Sequence, residues 1–288
     1  MNLNFVKDPQ AYLLKVEDLL LEKESCNNLM LGIINQLAEG QSAYKDVNLG
    51  IVEKAGNTVF AFMQTPPNNW IFPDVEVVEK EVSQEIAKFL FDEQLEVPGI
   101  LGPDQIVQPF VKEWEKLNNV ESTIHMEQLI YQMDKVNSVS QAEGELRKGT
   151  KYDHKLLTEW LIQFGREANE IINRDDADFL AVTFIKNSSV YLWQVNGKPV
   201  SMVNRSRKTK NGATINAVYT PDEYKRKGYA TSSVAALSRK LLADGSSFCS
   251  LYTDANYPDS NRIYKRIGYY EVGTSIVYEF NRDSHPTH

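Results

Sequence analysis

One order of predicted elements occurs twice along the chain. Apolar spacing in the first half predicts two helices within residues 11–40, a hairpin at 49–63 and a short strand at 70–72. A helix, a strand, a helix and a strand follow, up to residue 134. The same order returns after residue 143, where the hairpin is marked by Asn196-Gly197. We interpret this as a tandem duplication of one α+β unit, with a chance likeness of two mixed domains as the alternative.

The length of the chain agrees with this division. A chain of 288 residues is long for one small domain, and two domains of about 140 residues are the usual expectation. The small and polar segment VNSVSQA, at residues 136–142, separates the two series of elements. We therefore predict one domain at 1–136 and a second at 143–288.

Charge and cysteine content exclude several classes of protein. The formal net charge of -8 argues against a nonspecific nucleic-acid binder, which needs a broad basic surface. Cys26 and Cys249 do not have the spacing of metal ligands, so we predict no metal site. No apolar run approaches the ~20 residues of a membrane span, and the N-terminus lacks a basic and then an apolar stretch. We expect a cytoplasmic protein with no membrane or nucleic-acid partner, as a monomer or a homodimer.

A basic turn in the second half carries the first chemical signal. It follows a strand at 215–219 and leads into a predicted helix at 229–243. Backbone N–H groups at a helix start lack internal partners and suit an anion, and Gly228 lets the backbone approach a phosphate closely. Three consecutive cations add positive charge, so a diphosphate fits this turn. A solvated, cationic helix start remains the alternative for such a turn taken alone, since it matches neither a P-loop nor a dinucleotide fingerprint. The turn, called the basic loop below, consists of Lys225, Arg226, Lys227, Gly228, Tyr229, Ala230 and Thr231.

A second motif follows about 30 residues later. After a predicted strand at 248–254, the chain contains Asn256, Asn261 and Tyr264 in the pattern N-x-x-x-S-N-x-x-Y-x-x-x-G-Y. Together with K-x-x-G-x-A in the basic loop, this pattern resembles the GNAT acetyltransferases. The resemblance covers residues 143–280. The first motif departs from the commoner form at Lys225, where Arg or Gln is usual.

The resemblance implies both a fold and a cofactor. Each half would form an α/β/α sandwich around a mixed, mostly antiparallel sheet, giving two GNAT-like α+β domains in tandem. In that family the loop holds the pyrophosphate of acyl-CoA, the preceding strand pairs with the pantetheine arm through a bulge, and a tyrosine protonates the departing thiolate. The resemblance implies that catalytic role for Tyr264. The residues implied in cofactor binding are Val218, Tyr219, Lys225, Arg226, Lys227, Gly228, Tyr229, Ala230, Thr231, Asn256 and Asn261.

The predicted reaction is transfer of acetyl from acetyl-CoA, as co-substrate, to a primary amine of a small molecule or peptide. Direct attack in a ternary complex requires a neutral amine, which costs about 4–5 kcal/mol at pH 7 for a lysine-like group. The leaving thiolate needs a proton, which the Tyr264 phenol can supply as general acid. The alternative is a non-catalytic module that binds or senses acyl-CoA.

The general base is not assigned from the sequence. Several acidic residues lie on or between the first two helices of the second half, which border the acceptor site in this family. Each is either a base or a solvated carboxylate, His154 is expected at the surface, and a water chain is a further possibility. The acidic residues are Glu159, Glu167, Glu170, Asp175 and Asp176.

The corresponding turn in the first half lacks the cofactor signal. Residues 74–81 contain no glycine and are rich in acids, which would repel a diphosphate. Counterparts of Asn261 and Tyr264 are also missing. We therefore predict a degenerate first domain without a cofactor loop, and we hypothesise that it shapes the acceptor pocket.

Overall fold

The chain folds into two compact units. In the computed structural model, residues 1–41, 44, 46–168 and 171–281 are described. The first unit contains Met1–Ile130 and Val272–His288, and the second contains Tyr131–Glu271. These units differ from the predicted domains, 1–136 and 143–288, because the last strand of the chain continues into the first unit.

The first unit begins with a strand that the sequence analysis did not predict. Asn2–Phe5 is short, but it pairs antiparallel with the first strand of the predicted hairpin. The order of strands in this unit is β1-β2-β3-β4-β5-β12. The elements of the first half are β1 Asn2–Phe5, α1 Pro9–Leu21, α2 Asn28–Ala38, β2 Asn48–Lys54, β3 Asn57–Gln64, β4 Trp70–Ile71, α3 Lys80–Asp92, β5 Gly99–Gly102, α4 Asp104–Asn118 and β6 Glu121–Met133.

The second half repeats this order of strands and helices. The strands β4 and β5 are parallel in the first unit, and β10 and β11 are parallel at the corresponding place in the second. The strand order of the second unit is β6-β11-β10-β9-β8-β7. Its elements are β7 Glu145–Lys148, α5 His154–Glu167, α6 Arg174–Lys186, β8 Val190–Val195, β9 Lys198–Lys208, β10 Gly212–Tyr219, α7 Tyr229–Ala243, β11 Phe248–Asp254, α8 Pro258–Ile267 and β12 Tyr270–Asn281.

Alternation of side chains along β3 produces a layered core in the first unit. Ala61 and Met63 face the helices α1 and α2, whereas Phe60 and Phe62 pack with apolar residues of α3 and α4. Successive residues of a strand point to opposite faces of the sheet, so both faces are covered by helices. The α/β/α sandwich with a mixed, mostly antiparallel sheet is confirmed. Among the helices of the described residues, none is long and apolar enough to cross a membrane.

Candidate active site

The strand β10 contains a bulge at the position that the sequence analysis assigned to the pantetheine arm. Its pairing with β9 shifts register between Asn216 and Tyr219, and Ala217 has a φ of 46°. Such a bulge inserts an unpaired residue and bends the strand. It therefore turns the backbone around Val218 away from a regular ladder.

The strands β10 and β11 separate beyond the middle of their lengths. Their parallel pairing runs from Gly212 opposite Phe248 to Ile215 opposite Leu251. Both strands continue, to Tyr219 and Asp254, without a further paired residue in the described register. The edge of β10 from residue 216 onward is therefore open to an extended ligand with amide groups, because backbone N–H and C=O groups need partners.

The basic loop ends on an open helix start. Gly228 is the N-cap residue of α7, has a φ of 80° and receives no side-chain cap. The Ser232 N–H donates a hydrogen bond to the Gly228 carbonyl at 3.0 Å. The N–H groups of the three residues between them lie in the first turn, where a helix has no internal acceptors. This is the geometry that binds an anion at a helix N-terminus.

The three cations of the loop are not equivalent. The Lys225 ammonium lies 2.7 Å from carboxylate oxygens of both Glu167 and Asp222. Desolvation lowers its pKa, but the two carboxylates outweigh this effect, so the pKa is raised. Lys227 donates to the Glu223 carbonyl at 3.0 Å, whereas Arg226 is exposed and has no ion pair within the described residues. The contact with Glu167 was not predicted, because it joins residues 58 positions apart.

The second motif lies on α8, which packs against α7. Asn261 is only 8% exposed, and its Nδ2 donates to the Asp254 carbonyl at 3.4 Å. Its Oδ1 is buried and has no partner among the described residues. Asn256 is exposed, and its backbone N–H donates to Asp254 Oδ1 at 2.7 Å. The structure thus provides a buried, unused acceptor at Asn261 but only a surface position at Asn256.

Tyr264 is packed between two other tyrosines. Its ring centroid lies 6.5 Å from that of Tyr131 and 6.1 Å from that of Tyr269. Burial raises the pKa of Tyr264 to about 12, so the phenol is neutral at physiological pH. Its side chain is half-buried, and its hydroxyl has no hydrogen bond within the described part of the chain. The Tyr269 hydroxyl, in contrast, lies 2.9 Å from Ser238 Oγ on α7, which ties the end of α8 to the helix that follows the basic loop.

The candidate bases are held in local interactions. Glu159 is paired with Arg174 at 2.8 Å, and His154, which is half-buried, lies 3.1 Å from Asp178. Asp176 takes part in the N-cap of α6, where its N–H and carboxylate both bond the Asn173 side chain. Asp175 is exposed in the same turn, and Glu170 lies outside the described residues. None of these contacts singles out a base.

A cleft of about 630 Å³ lies between α5 and α6. It combines aliphatic walls from Ile162 and Ile172 with the charged groups of Glu159, Arg166 and Arg174. Gln163, which also lines it, accepts a hydrogen bond from the Tyr219 hydroxyl at 2.7 Å. One lining residue of the cleft therefore contacts Tyr219, the last residue of β10. The sequence analysis predicted α5 and α6 as borders and named Glu159 as a candidate base, but it did not identify the other lining residues.

The corresponding turn of the first unit is held by an ion pair and hydrogen bonds within that unit. Asp74 is buried, its carboxylate is paired with Lys23 at 2.8 Å, and its backbone N–H and C=O both bond the Asn27 side chain. The helix α3 begins after Glu79, which is paired with Lys54 at 2.6 Å. A carboxylate therefore stands where the second unit has Gly228.

Comparisons with known proteins agree with this geometry. The family model described as FR47-like protein matches residues 195–277, which include β10, the basic loop, Asn261 and Tyr264. No curated protein matches the chain in sequence.

Several solved structures share the fold at low sequence identity. An acetyltransferase from the GNAT family of Colwellia psychrerythraea is 11% identical, has a TM-score of 0.60 and aligns over 98% of this chain and 100% of its own. A GCN5-related N-acetyltransferase from Sphaerobacter thermophilus is 10% identical, with a TM-score of 0.64 over 96% and 94% of the two chains. A tandem GNAT protein from the clavulanic acid biosynthesis pathway is 11% identical, with a TM-score of 0.56 over 97% and 98%.

These likenesses extend over nearly the whole chain and both of its halves. The chain is a tandem protein of the GNAT acetyltransferase fold, and the resemblance drawn from its two motifs is confirmed.

Proposed function

We propose that the second unit transfers acetyl from acetyl-CoA to a primary amine by direct attack in a ternary complex. The observation that carries this proposal is the packing of α8, with Asn261 and Tyr264, against α7, which begins at the open helix start of Gly228. An anion site, an acceptor for an amide and a neutral phenol then occur on two adjacent helices.

The basic loop suits the pyrophosphate of the co-substrate. The first-turn N–H groups that follow Gly228 donate to phosphate oxygens, and Arg226 adds a positive charge that no carboxylate neutralises among the described residues. Lys225 contributes less charge, because Glu167 and Asp222 already hold its ammonium. We therefore assign most of the phosphate binding to the backbone N–H groups of the loop. The helix dipole adds about 0.3–1 kcal/mol to the binding of the anion.

Two further features fit the pantetheine arm. The open edge of β10 beside Val218 offers N–H and C=O groups to an extended chain with amides. The buried Oδ1 of Asn261 has no partner among the described residues and accepts a hydrogen bond from an amide N–H. An unpaired buried acceptor costs about 1–3 kcal/mol, so a ligand that satisfies it gains affinity.

Tyr264 is proposed as the general acid. The departing group of acetyl-CoA is a thiolate, which needs a proton. A general acid that supplies this proton must itself be protonated near neutral pH. The Tyr264 phenol meets this condition, because burial raises its pKa to about 12 and no hydrogen bond within the described residues occupies its hydroxyl. As the amine nitrogen bonds the acetyl carbon and the C–S bond breaks, Tyr264 gives its proton to the sulfur, and the proton released by the nitrogen passes to water.

The cleft between α5 and α6 is proposed as the place of the acceptor amine. Its lining residue Gln163 bonds Tyr219 at the end of β10, and its lining suits a small molecule or a peptide side chain with an aliphatic part. The non-catalytic alternative, a module that binds acyl-CoA, is favoured by one observation. Glu159 and Glu167, two of the candidate bases, are each occupied by an ion pair, with Arg174 and Lys225 respectively.

Release of free thiol from acetyl-CoA tests the proposed reaction. The purified chain is incubated with acetyl-CoA and a panel of small primary amines and lysine-containing peptides, and thiol is followed with a chromogenic reagent. We expect amine-dependent release with at least one member and an acetylated product of matching mass. Tight binding of acetyl-CoA without turnover on any amine would support the non-catalytic alternative.

Calorimetric titration should give one acetyl-CoA per chain. The first unit has Glu79 before α3 where the second has Gly228, and its acidic turn repels a diphosphate. The titration is repeated on Gly228→Ala, which should weaken the single binding event. Two binding events in the unmodified chain, or one that is insensitive to this substitution, would contradict the assignment.

A further inference from the structure

The ring of Tyr264 is enclosed by two aromatic neighbours from different parts of the chain. Tyr269 follows α8 directly, whereas Tyr131 lies near the end of β6, outside both motifs. The rings of Tyr131 and Tyr264 are inclined at 47° with centroids 6.5 Å apart, and those of Tyr264 and Tyr269 at 70° with centroids 6.1 Å apart. Both separations lie in the range of favourable aromatic pairs, about 4.5–7 Å.

The two neighbours are held differently. The Tyr269 hydroxyl lies 2.9 Å from Ser238 Oγ, so a hydrogen bond orients that ring. The Tyr131 side chain is fully buried, and its hydroxyl has no hydrogen-bond partner among the described residues. Burial of an unpaired hydroxyl is unfavourable. Internal hydrogen bonding therefore does not explain a tyrosine at this position, and its ring instead contacts the Tyr264 ring and the ammonium of Lys265.

We propose that Tyr131 is a positioning residue for Tyr264, because its flat ring fixes the orientation of the Tyr264 ring and shields one side of it from water. This inference rests on the proposed function of Tyr264 as the general acid. A proton donor must lie within hydrogen-bond distance of the sulfur, and a displacement of about 1 Å costs roughly 10²-fold in rate. The last strand of the first half would then supply part of the catalytic arrangement of the second unit.

The surroundings of Tyr264 also set the pH at which it loses its proton. The titratable or charged groups around it are Tyr131, Tyr269, Lys265 and Cys249. The Lys265 Nζ lies 5.9 Å from the Tyr131 ring, and the charge of Cys249 acts on Tyr269. Burial is the cause of the raised pKa of Tyr264. Opening the Tyr131 side to water should move that pKa toward the ordinary value of about 10.

Steady-state kinetics of the full-length chain test the inference. Tyr131→Met fills much of the space without a flat ring, and Tyr131→Leu is a second apolar replacement if the first does not fold. We expect kcat to fall about tenfold or more, KM for acetyl-CoA to stay within about twofold, and the alkaline limb of the kcat profile to move to lower pH. Tyr131→Phe keeps the ring and should retain kcat within about twofold. Tyr152→Phe, at a highly exposed tyrosine elsewhere in the second unit, is the matched control and should change nothing.

Unchanged kcat and an unchanged pH profile in the Met and Leu variants would overturn the inference, and so would equal losses in kcat and cofactor affinity. An NMR measurement that needs no turnover tests the role of Tyr131 even if the proposed acetyl transfer is wrong. In protein labelled at tyrosine ¹³Cζ, the Tyr264 resonance is assigned from Tyr264→Phe and followed by NMR as the pH is raised to about 10.5. It should stay constant in the unmodified chain and shift in Tyr131→Met. If it behaves identically in both, Tyr131 does not control Tyr264, whether or not an acceptor amine has been found.

Discussion

Tyr264→Phe should lower kcat for acetyl transfer by about 10²–10⁴-fold, the contribution typical of a general acid. The substitution removes only the hydroxyl, and the ring keeps its contacts with Tyr131 and Tyr269. The affinity for acetyl-CoA should therefore stay within about twofold. The experiment measures kcat by thiol release and Kd by calorimetry on the same preparations.

The control for Tyr264→Phe is Tyr269→Phe. Tyr269 packs against Tyr264, but its hydroxyl bonds Ser238 inside the protein. Loss of that hydroxyl should therefore lower Tm, with only a small effect on kcat.

The pH dependence of the unmodified enzyme gives a second check. A general acid is active while protonated, and a pKa of about 12 keeps Tyr264 protonated through the range in which the acceptor amine becomes neutral. Activity should therefore rise up to about pH 10. Equal loss of kcat and of acetyl-CoA affinity in Tyr264→Phe would contradict the assigned role.

Gly228→Ala should weaken acetyl-CoA binding by about tenfold or more, which corresponds to roughly 1.4 kcal/mol. Gly228 has a φ of 80°, and a side chain there costs about 1–2 kcal/mol. The nearest protein atom to an added Cβ is the Ala142 Cβ at 3.7 Å, so the protein itself has room for a methyl group. The loss of affinity should therefore come from changed backbone geometry and from crowding of the ligand. Calorimetry measures the affinity, and thermal unfolding measures the stability.

Gly197→Ala is a matched control for this substitution. Gly197 lies in the turn between β8 and β9, has a φ of 77°, and an added Cβ meets nothing within 4 Å. Its replacement carries the same backbone cost, so Tm should fall by a similar amount while acetyl-CoA affinity stays unchanged. If both variants lose affinity equally, the effect comes from general destabilisation and the role of the basic loop in binding is wrong.

Much of the architecture was predictable because local patterns agree with the fold. The helix at 229–243 and the strand at 248–254 were predicted with the bounds that the structure has, since apolar spacing and Gly228 mark their ends. The strand at Asn2–Phe5 was missed, because four residues carry little periodic signal and their pairing with β2 is a tertiary interaction. The division into units also differs from prediction, since no local pattern shows that β12 continues into the first unit.

The sequence by itself determined the repeated order of elements, the open helix start at Gly228 and the motif with Asn261 and Tyr264. These features depend on residues within one turn or one helix, where spacing and backbone preferences act directly. Only the tertiary structure decided that Lys225 is held by Glu167, that Asn261 Oδ1 is buried without a partner among the described residues, and that Tyr131 packs on Tyr264. Two of these contacts join residues that lie far apart in the chain, and the third observation depends on the burial of one atom. Long-range contacts and burial are set by tertiary packing, and sequence spacing does not show them.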